Sequence, residues 1–219
     1  MSLLEFARGP ALEVALAVFC LGVLWRLGAV LLLNWQRHRS EPRESRQQAG
    51  LQGLKVIGSR SWPHREFIGR TGYGEALGYS YHIGLFIVVF GGTPHILFWE
   101  SLFGFSWPGL PAAVIHVTAV LTLALMLAVL IRRVSYPVLR RLSNFDDYFS
   151  LVLTLAVVAT GLLAVYHVGG RYETLLAVHI LSFDALLIWF PFGKLMHAFW
   201  FFPSRFFNGY LLARKGAAR

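Results

Sequence analysis

Apolar residues gather in five long stretches, at about 10–35, 77–102, 111–131, 147–168 and 172–202, separated by short polar connections and one long polar segment at 36–74. Crossing a hydrocarbon layer takes about 20 helical residues, and each stretch reaches that length. The pattern predicts an all-α integral membrane bundle of five transmembrane helices, one domain over residues 1–219. The first stretch, interrupted by Glu13 and Arg26, is too long for a signal-peptide core and no small-residue cleavage site follows it, so a retained helix is expected. Pro42, Pro63 and several glycines argue against one long helix in 36–74, and a loop with a short interfacial helix is expected there.

Local signals sharpen the boundaries. Gly91-Gly92-Thr93-Pro94 predicts a bend or break at the far end of the second span. Pro111 suits the first turn of the third span, and Asn144 with Asp146 and Asp147 suits the start of the fourth. Gly169-Gly170 is expected to end the fourth span and Pro203 the fifth.

Composition supports a membrane protein. The 219 residues are 56% hydrophobic and 14% charged, whereas soluble domains carry roughly 25% charged residues. The single cysteine, Cys20, excludes an intrachain disulfide and a cysteine-ligated metal cluster. The net charge of +9 reports topology in a chain of this type and does not point to nucleic acid. Eight basic residues follow the first span, four follow the third (Arg132, Arg133, Arg140, Arg141), and four lie in the tail (Arg205, Arg214, Lys215, Arg219). The other side has Arg8 and Arg171. Since positive charge stays in the cytoplasm, the amino terminus is expected outside and the carboxyl terminus in the cytoplasm.

Eight histidines are present, and six of them fall in or beside apolar stretches, where ionisable groups are costly and usually functional. His38 and His64 lie in the polar segment and read as solvated. His82 and His197 fall near the cytoplasmic end, whereas His95, His116, His167 and His179 fall toward the outer end. An inner pair and an outer cluster are what two bis-histidine haems stacked across a membrane require. On one straight helix His179 and His197 are 18 apart, about five turns and roughly 27 Å, so both share a face. His82 and His95 are 13 apart, about 220° out of phase, so either the break at Gly91–Pro94 rotates His95 back or His116 or His167 pairs with His179. A neutral imidazole suits haem iron as an axial ligand, while zinc wants three or four converging ligands.

Several of these segments form a recognisable set: Phe190-Pro-Phe-Gly-Lys-Leu-Met-His197 with His179 before it, Tyr81-His82-Ile-Gly84, Thr93-Pro94-His95 with Glu100, Phe19 through Gly22 to Trp25-Arg26, and Asp146-Asp147. Together they resemble the respiratory nitrate reductase gamma subunit over nearly the whole chain. The resemblance implies a dihaem cytochrome b in a prokaryotic cell membrane that is not catalytic alone. It would hold two haem b groups, anchor a cytoplasmic iron–sulfur protein and exchange electrons with the quinone pool. It implies His82 and His197 as ligands of the cytoplasmic-side haem and His179 as one ligand of the outer haem. The family's other outer ligand falls near Gly92, which cannot ligate, so the chain either binds one haem or takes its second outer ligand from His95, with His116 and His167 as the alternatives. Trp107 stands in the region where that family has a basic residue near its quinol site. The chain is equally similar to related membrane cytochromes that partner heterodisulfide-reductase-like iron–sulfur proteins, and the 36–74 segment suits a docking surface for such a partner.

Other residues complete the expectation. Arg26 and Lys194 are candidate partners of haem propionates. Gly84 and Gly91, with Gly92 and Gly161, are expected to let helices or a flat macrocycle approach closely. Asp184 reads as a proton relay or a helix-to-helix hydrogen bond, and Trp99 and Trp107 read as interfacial belt residues. The competing reading is a proton or metal transporter that uses the histidines and Asp184 as a relay without haem.

Overall fold

The computed structural model describes residues 1–32, 41–61 and 65–217, and every regular element in it is helical. His38, His64 and residues 33–35, the expected end of the first span, lie outside the described residues. Four helical runs are long and apolar enough to cross a membrane, namely Leu3–Val30, Ala112–Ser135, Phe145–Tyr166 and Tyr172–Trp189. A fifth crossing results if the bent pair Arg65–Gly91 and Thr93–Phe103 counts as one span.

The first run comprises α1 (Leu3–Phe6), a π-helical turn at Ala7–Ala11 and α2 (Leu12–Leu31). It starts earlier than the apolar pattern suggested. Ser2 and Glu5 form a reciprocal capping box, each side chain accepting from the other's backbone N–H at 3.2 and 2.7 Å. Pro10, the expected start, sits inside the π-turn, where a widened turn tolerates its missing donor.

The polar segment holds α3 (Arg46–Ser59), capped by Ser45 and Gln48, and then α4 (Ile68–Gly91). The expected loop is therefore shorter, and α4 begins at Ile68 and not near Leu77. Glycines weaken a helix in isolation, but tertiary contacts hold this one. The Arg132 guanidinium packs against Gly74 and lies 5.9 Å from the Tyr73 ring centre.

The anticipated break is present. Gly92 is extended, Pro94 lies in the first turn of α5 (Thr93–Phe103), and the two helices meet at 65°. The carbonyl of Gly91, freed by the break, accepts the Leu110 amide at 2.8 Å. Next come α6 (Ala112–Ser135), with Pro111 as its N-cap and not in its first turn, the short α7 (Pro137–Leu142), and α8 (Phe145–Tyr166). Asn144 caps α8 as expected, in a box with Asp147. The end of α8 falls at His167, in the left-handed conformation at φ 53°, ahead of Gly169-Gly170.

The fifth stretch departs most from expectation. α9 (Tyr172–Trp189) stops at a turn through Pro191 and Gly193, a 3-10 turn covers Lys194–Met196, and α10 (His197–Arg214) follows. Pro191, not Pro203, ends the span, and Pro203 lies inside α10. α10 packs along α3, where Gly53 faces Phe206, Gly209 faces Val56, and the Arg43 amide donates to the Arg214 carbonyl at 3.0 Å.

The spans form an arc in which α2 packs on α9, α9 on α8, α8 on α6 and α6 on α4. Small residues set the close contacts, as suits helices without a hydrophobic drive between them. A Cβ at Gly84 would collide with the Thr122 hydroxyl of α6, and one at Gly22 would collide with the Pro191 ring. Across the centre α4 and α5 face α9 and α10 through histidine rings.

Candidate metal centres at two levels of the bundle

The first histidine pair joins α4 to the start of α10. The rings of His82 and His197 lie 5.9 Å apart between centroids at an interplanar angle of 89°. Each Nδ1 is engaged by a carbonyl of its own chain segment, His82 by Gly78 at 2.7 Å and His197 by Lys194 at 2.8 Å. The Tyr81 ring stacks on His82 at 4.3 Å.

The turn that presents His197 is built from several anchors. Asp146 accepts the Lys194 amide at 2.8 Å, and Ser150 donates to Asp146 at 2.6 Å and accepts from the Trp189 indole at 2.9 Å. Gly193 is required here, because a Cβ would meet Trp189 Nε1 at 2.5 Å and Asp146 Oδ1 at 2.8 Å. The break also means that His179 and His197 do not share one straight helix, so their common face does not follow from the phase argument. The turn itself brings His197 to His82.

Beside this pair lies a cleft of about 270 Å³. Its polar corner consists of Arg133, Lys194 and Asp147, with Arg133 Nη1 at 3.2 Å and Lys194 Nζ at 2.5 Å from the Asp147 carboxylate. A second cleft of about 640 Å³ is also lined by His82, with Glu75, Tyr79, Arg60 and Arg205 on its walls. Arg205 stacks 3.7 Å over Phe201 and donates to the Arg60 carbonyl at 3.2 Å.

The second pair joins α5 to α9. His95 and His179 have centroids 6.2 Å apart and rings inclined by 51°. His95 Nδ1 contacts the Val88 carbonyl at 2.9 Å, and His179 Nδ1 contacts the Val157 carbonyl of α8 at 3.1 Å and Thr160 Oγ1 at 3.3 Å. Gly161 makes room for this ring, since a Cβ there would lie 3.0 Å from His179 Cε1. The bend at Gly92 accounts for the match: it turns His95 back toward α9, where a straight helix would have pointed it away. His116 and His167 take other partners, Tyr166 at 5.6 Å and Tyr172 at 5.3 Å between centroids.

All four paired histidines thus share one hydrogen-bond pattern. Nδ1–H donates to a backbone carbonyl, which fixes the tautomer and leaves the Nε2 lone pair for a metal. Nitrogen–metal bonds of about 2 Å and a ring radius of roughly 1.1 Å would set the centroids of two imidazoles on opposite sides of one ion about 6 Å apart. Both pairs have that spacing. Sites with two protein ligands suit an ion whose remaining ligands come from a planar macrocycle.

The other candidates fall in different places. Lys194 lines the first cleft, whereas Arg26 is exposed on α2 and lines neither cleft. Gly84 and Gly91 pack against Thr122 and against Leu110 and Ile115, so they serve helix packing and border neither cleft. Trp107 donates its indole N–H to the Phe90 carbonyl at 2.6 Å, within an aromatic cluster at the bend that includes Trp99. Glu100 is exposed on α5. Cys20 is a free, exposed thiol. Asp184 is buried at 3% exposure. Arg133 and Asp147 are the residues sequence reasoning missed, one taken for a topology marker and the other only for a cap. The spacing of Ala119, Thr122, Met126 and Arg133 repeats at helical intervals, and that signal places Arg133 on the inner face of α6.

Fold and site together define a multi-span helical membrane protein with two histidine pairs at two levels. No family model matches the chain, and no solved structure matches it. A protein of Nitratidesulfovibrio vulgaris described simply as "Protein" is 33% identical over 227 aligned positions, which cover 98% of this chain and 96% of that one. The chain belongs to the family of that protein.

Proposed function

We propose that the chain is a dihaem membrane cytochrome b that passes electrons between the quinone pool and an iron–sulfur protein on the basic side of the membrane. The observation that carries this reading is the paired geometry: two histidine pairs, near 6 Å between centroids, each with Nδ1 on a carbonyl. His82 and His197 would hold one haem b, His95 and His179 the other. Arg133 and Lys194 offer charge-assisted donors to propionates at the first centre, in place of the Arg26 expected from the sequence. When bound, haem supplies reversible one-electron chemistry, and the chain supplies position, ligand basicity and a low-dielectric surround.

Topology fits the same reading. The α3–α10 layer carries Arg46, Lys55, Arg205 and Arg214 and the short α7 carries Arg140 and Arg141, so this end is assigned to the cytoplasm and the amino terminus to the outside of a prokaryotic cell membrane. The α3–α10 layer lies beside the His82–His197 level and is the surface assigned to the iron–sulfur partner. The resemblance to nitrate reductase gamma subunits and to heterodisulfide-reductase-linked cytochromes supports the assignment of class, while the partner's terminal substrate is set by the partner.

The test is a reduced-minus-oxidised visible spectrum of the purified chain with haem-to-protein stoichiometry. Two b-type haems per chain are expected, falling to one in His82→Ala or His197→Ala and to the other one in His95→Ala or His179→Ala. A folded, haem-free chain overturns the reading.

A further inference from the structure

Among the described residues, Asp184 is the buried ionisable group that neither centre uses. It is 3% exposed, and neither carboxylate oxygen has a hydrogen-bond partner among the described residues. It sits on α9 five residues beyond His179, a rise of about 7.5 Å and a turn of about 140°. Its face is therefore not the one His179 turns to α8. Asp184 shares a face of α9 with Ala177, seven residues before it, and Pro191, in the turn just past the helix, rests on Gly22 of α2. The carboxyl thus lies in the α2–α9 interface, between the levels of the two histidine pairs. Ala15 of α2 and Ala177 of α9 are fully buried and carry no donor side chain.

An unpaired carboxylate charge in such a place is costly. A sequence selected for packing alone would put Asn, Leu or Ala there. The titratable groups on the elements packed against α9 do not offset the charge. Glu5, Arg8, Glu13, Cys20 and Arg26 are exposed, and Asp146 and Asp147 are engaged by Lys194, Arg133 and Trp189. The variable charge left within reach is that of the neighbouring centre. At a separation on the order of 10 Å and an effective dielectric near 20, a unit charge changes proton affinity about tenfold or more.

We propose that Asp184 is the proton-binding group coupled to the redox state of the centre formed by His95 and His179. This rests on the haem reading above. When that centre gains one electron from a quinol-class donor, Asp184 binds one proton at a carboxylate oxygen, drawn from the aqueous phase. On reoxidation it releases that proton. Charge is balanced in both directions, so the buried site never carries an uncompensated electron.

The experiment is a redox titration of the purified, haem-loaded full chain at a series of pH values, followed by the signal that His95→Ala removes. A reduced-minus-oxidised infrared difference spectrum accompanies it. Wild type is expected to show a midpoint potential that falls as pH rises, and a protonated-carboxyl carbonyl band that grows on reduction. Asp184→Asn is expected to flatten the pH dependence and remove the band. Asp184→Glu is expected to restore the dependence with the band displaced. If Asp184→Asn fails to retain haem, the displacement of the band in Asp184→Glu decides the matter. A pH-independent potential in wild type, or an unchanged band in either variant, overturns the proposal. Haem-free wild-type protein would instead overturn the functional reading on which it rests.

Discussion

His82 and His197 meet edge to face at 5.9 Å although one lies within a long helix and the other opens a new one. That meeting depends on an interruption. Had α9 run on as a single helix, the register of His197 would be fixed by helical phase alone. Pro191 and Gly193 uncouple it, and Asp146 secures the turn through the Lys194 amide. The other pair uses the same device on the other chain segment, because Gly92 and Pro94 uncouple His95 from α4. Each centre is thus built from one histidine within a continuous helix and one just past a break.

Gly193 should accordingly be intolerant of any side chain. A methyl group there meets Trp189 Nε1 and Asp146 Oδ1 inside normal contact distance. Gly193→Ala is expected to cost about 1–3 kcal/mol from overpacking and to displace His197. The first centre should be lost while the second is kept. Visible spectra of the purified variant check this, and loss of the second centre alone would contradict it.

Much of this was legible in the sequence, and the exceptions have physical causes. Gly91-Gly92-Thr93-Pro94 announced its break because no side chain there favours continuing a helix. Asn144 with Asp147 announced its cap because short polar side chains satisfy free amides. Pro191 was hidden by its setting, an apolar run in which Pro203 looked the better stop. The helical start of α4 was hidden by Gly69, Gly72, Gly74 and Gly78, whose weak local preference masks the helix, and of these Gly74 packs against Arg132. The choice among His95, His116 and His167 could not be made from spacing, because a bend of 65° has no fixed phase.

Gly161 provides the matching test at the second centre. A Cβ would lie 3.0 Å from His179 Cε1, so Gly161→Val should push the ring off the Val157 carbonyl. The expected result is selective loss of the second centre, with Gly161→Ala intermediate. His116→Ala and His167→Ala, whose rings rest on tyrosines, should leave both centres intact. Haem-to-protein stoichiometry reads all four variants.

At the first centre the cationic corner should matter in proportion to its burial. The Arg133 side chain is 30% exposed and Lys194 51% exposed, and both converge on Asp147. Exposed ion pairs are worth roughly 0–1 kcal/mol, so Lys194→Gln should weaken haem retention less than Arg133→Gln does. Arg26→Gln should have no effect, since Arg26 lines neither cleft. Retention during gel filtration in detergent gives the ranking, and an effect of Arg26→Gln equal to that of Arg133→Gln would return Arg26 to the site.

Gly84 separates bundle packing from ligation. The space of its missing side chain is taken by the Thr122 hydroxyl, which itself donates to the Thr118 carbonyl at 2.7 Å. Gly84→Ala should force α4 away from α6 and lower the thermal stability of the whole bundle, with both centres weakened together because α4 and its continuation α5 carry His82 and His95. Thr122→Ala in the same chain removes the colliding oxygen and should recover most of the loss. In a double-mutant cycle the two substitutions are therefore expected to couple by about 0.5–3 kcal/mol. Independent effects would mean that the α4–α6 contact is not what positions the two histidines.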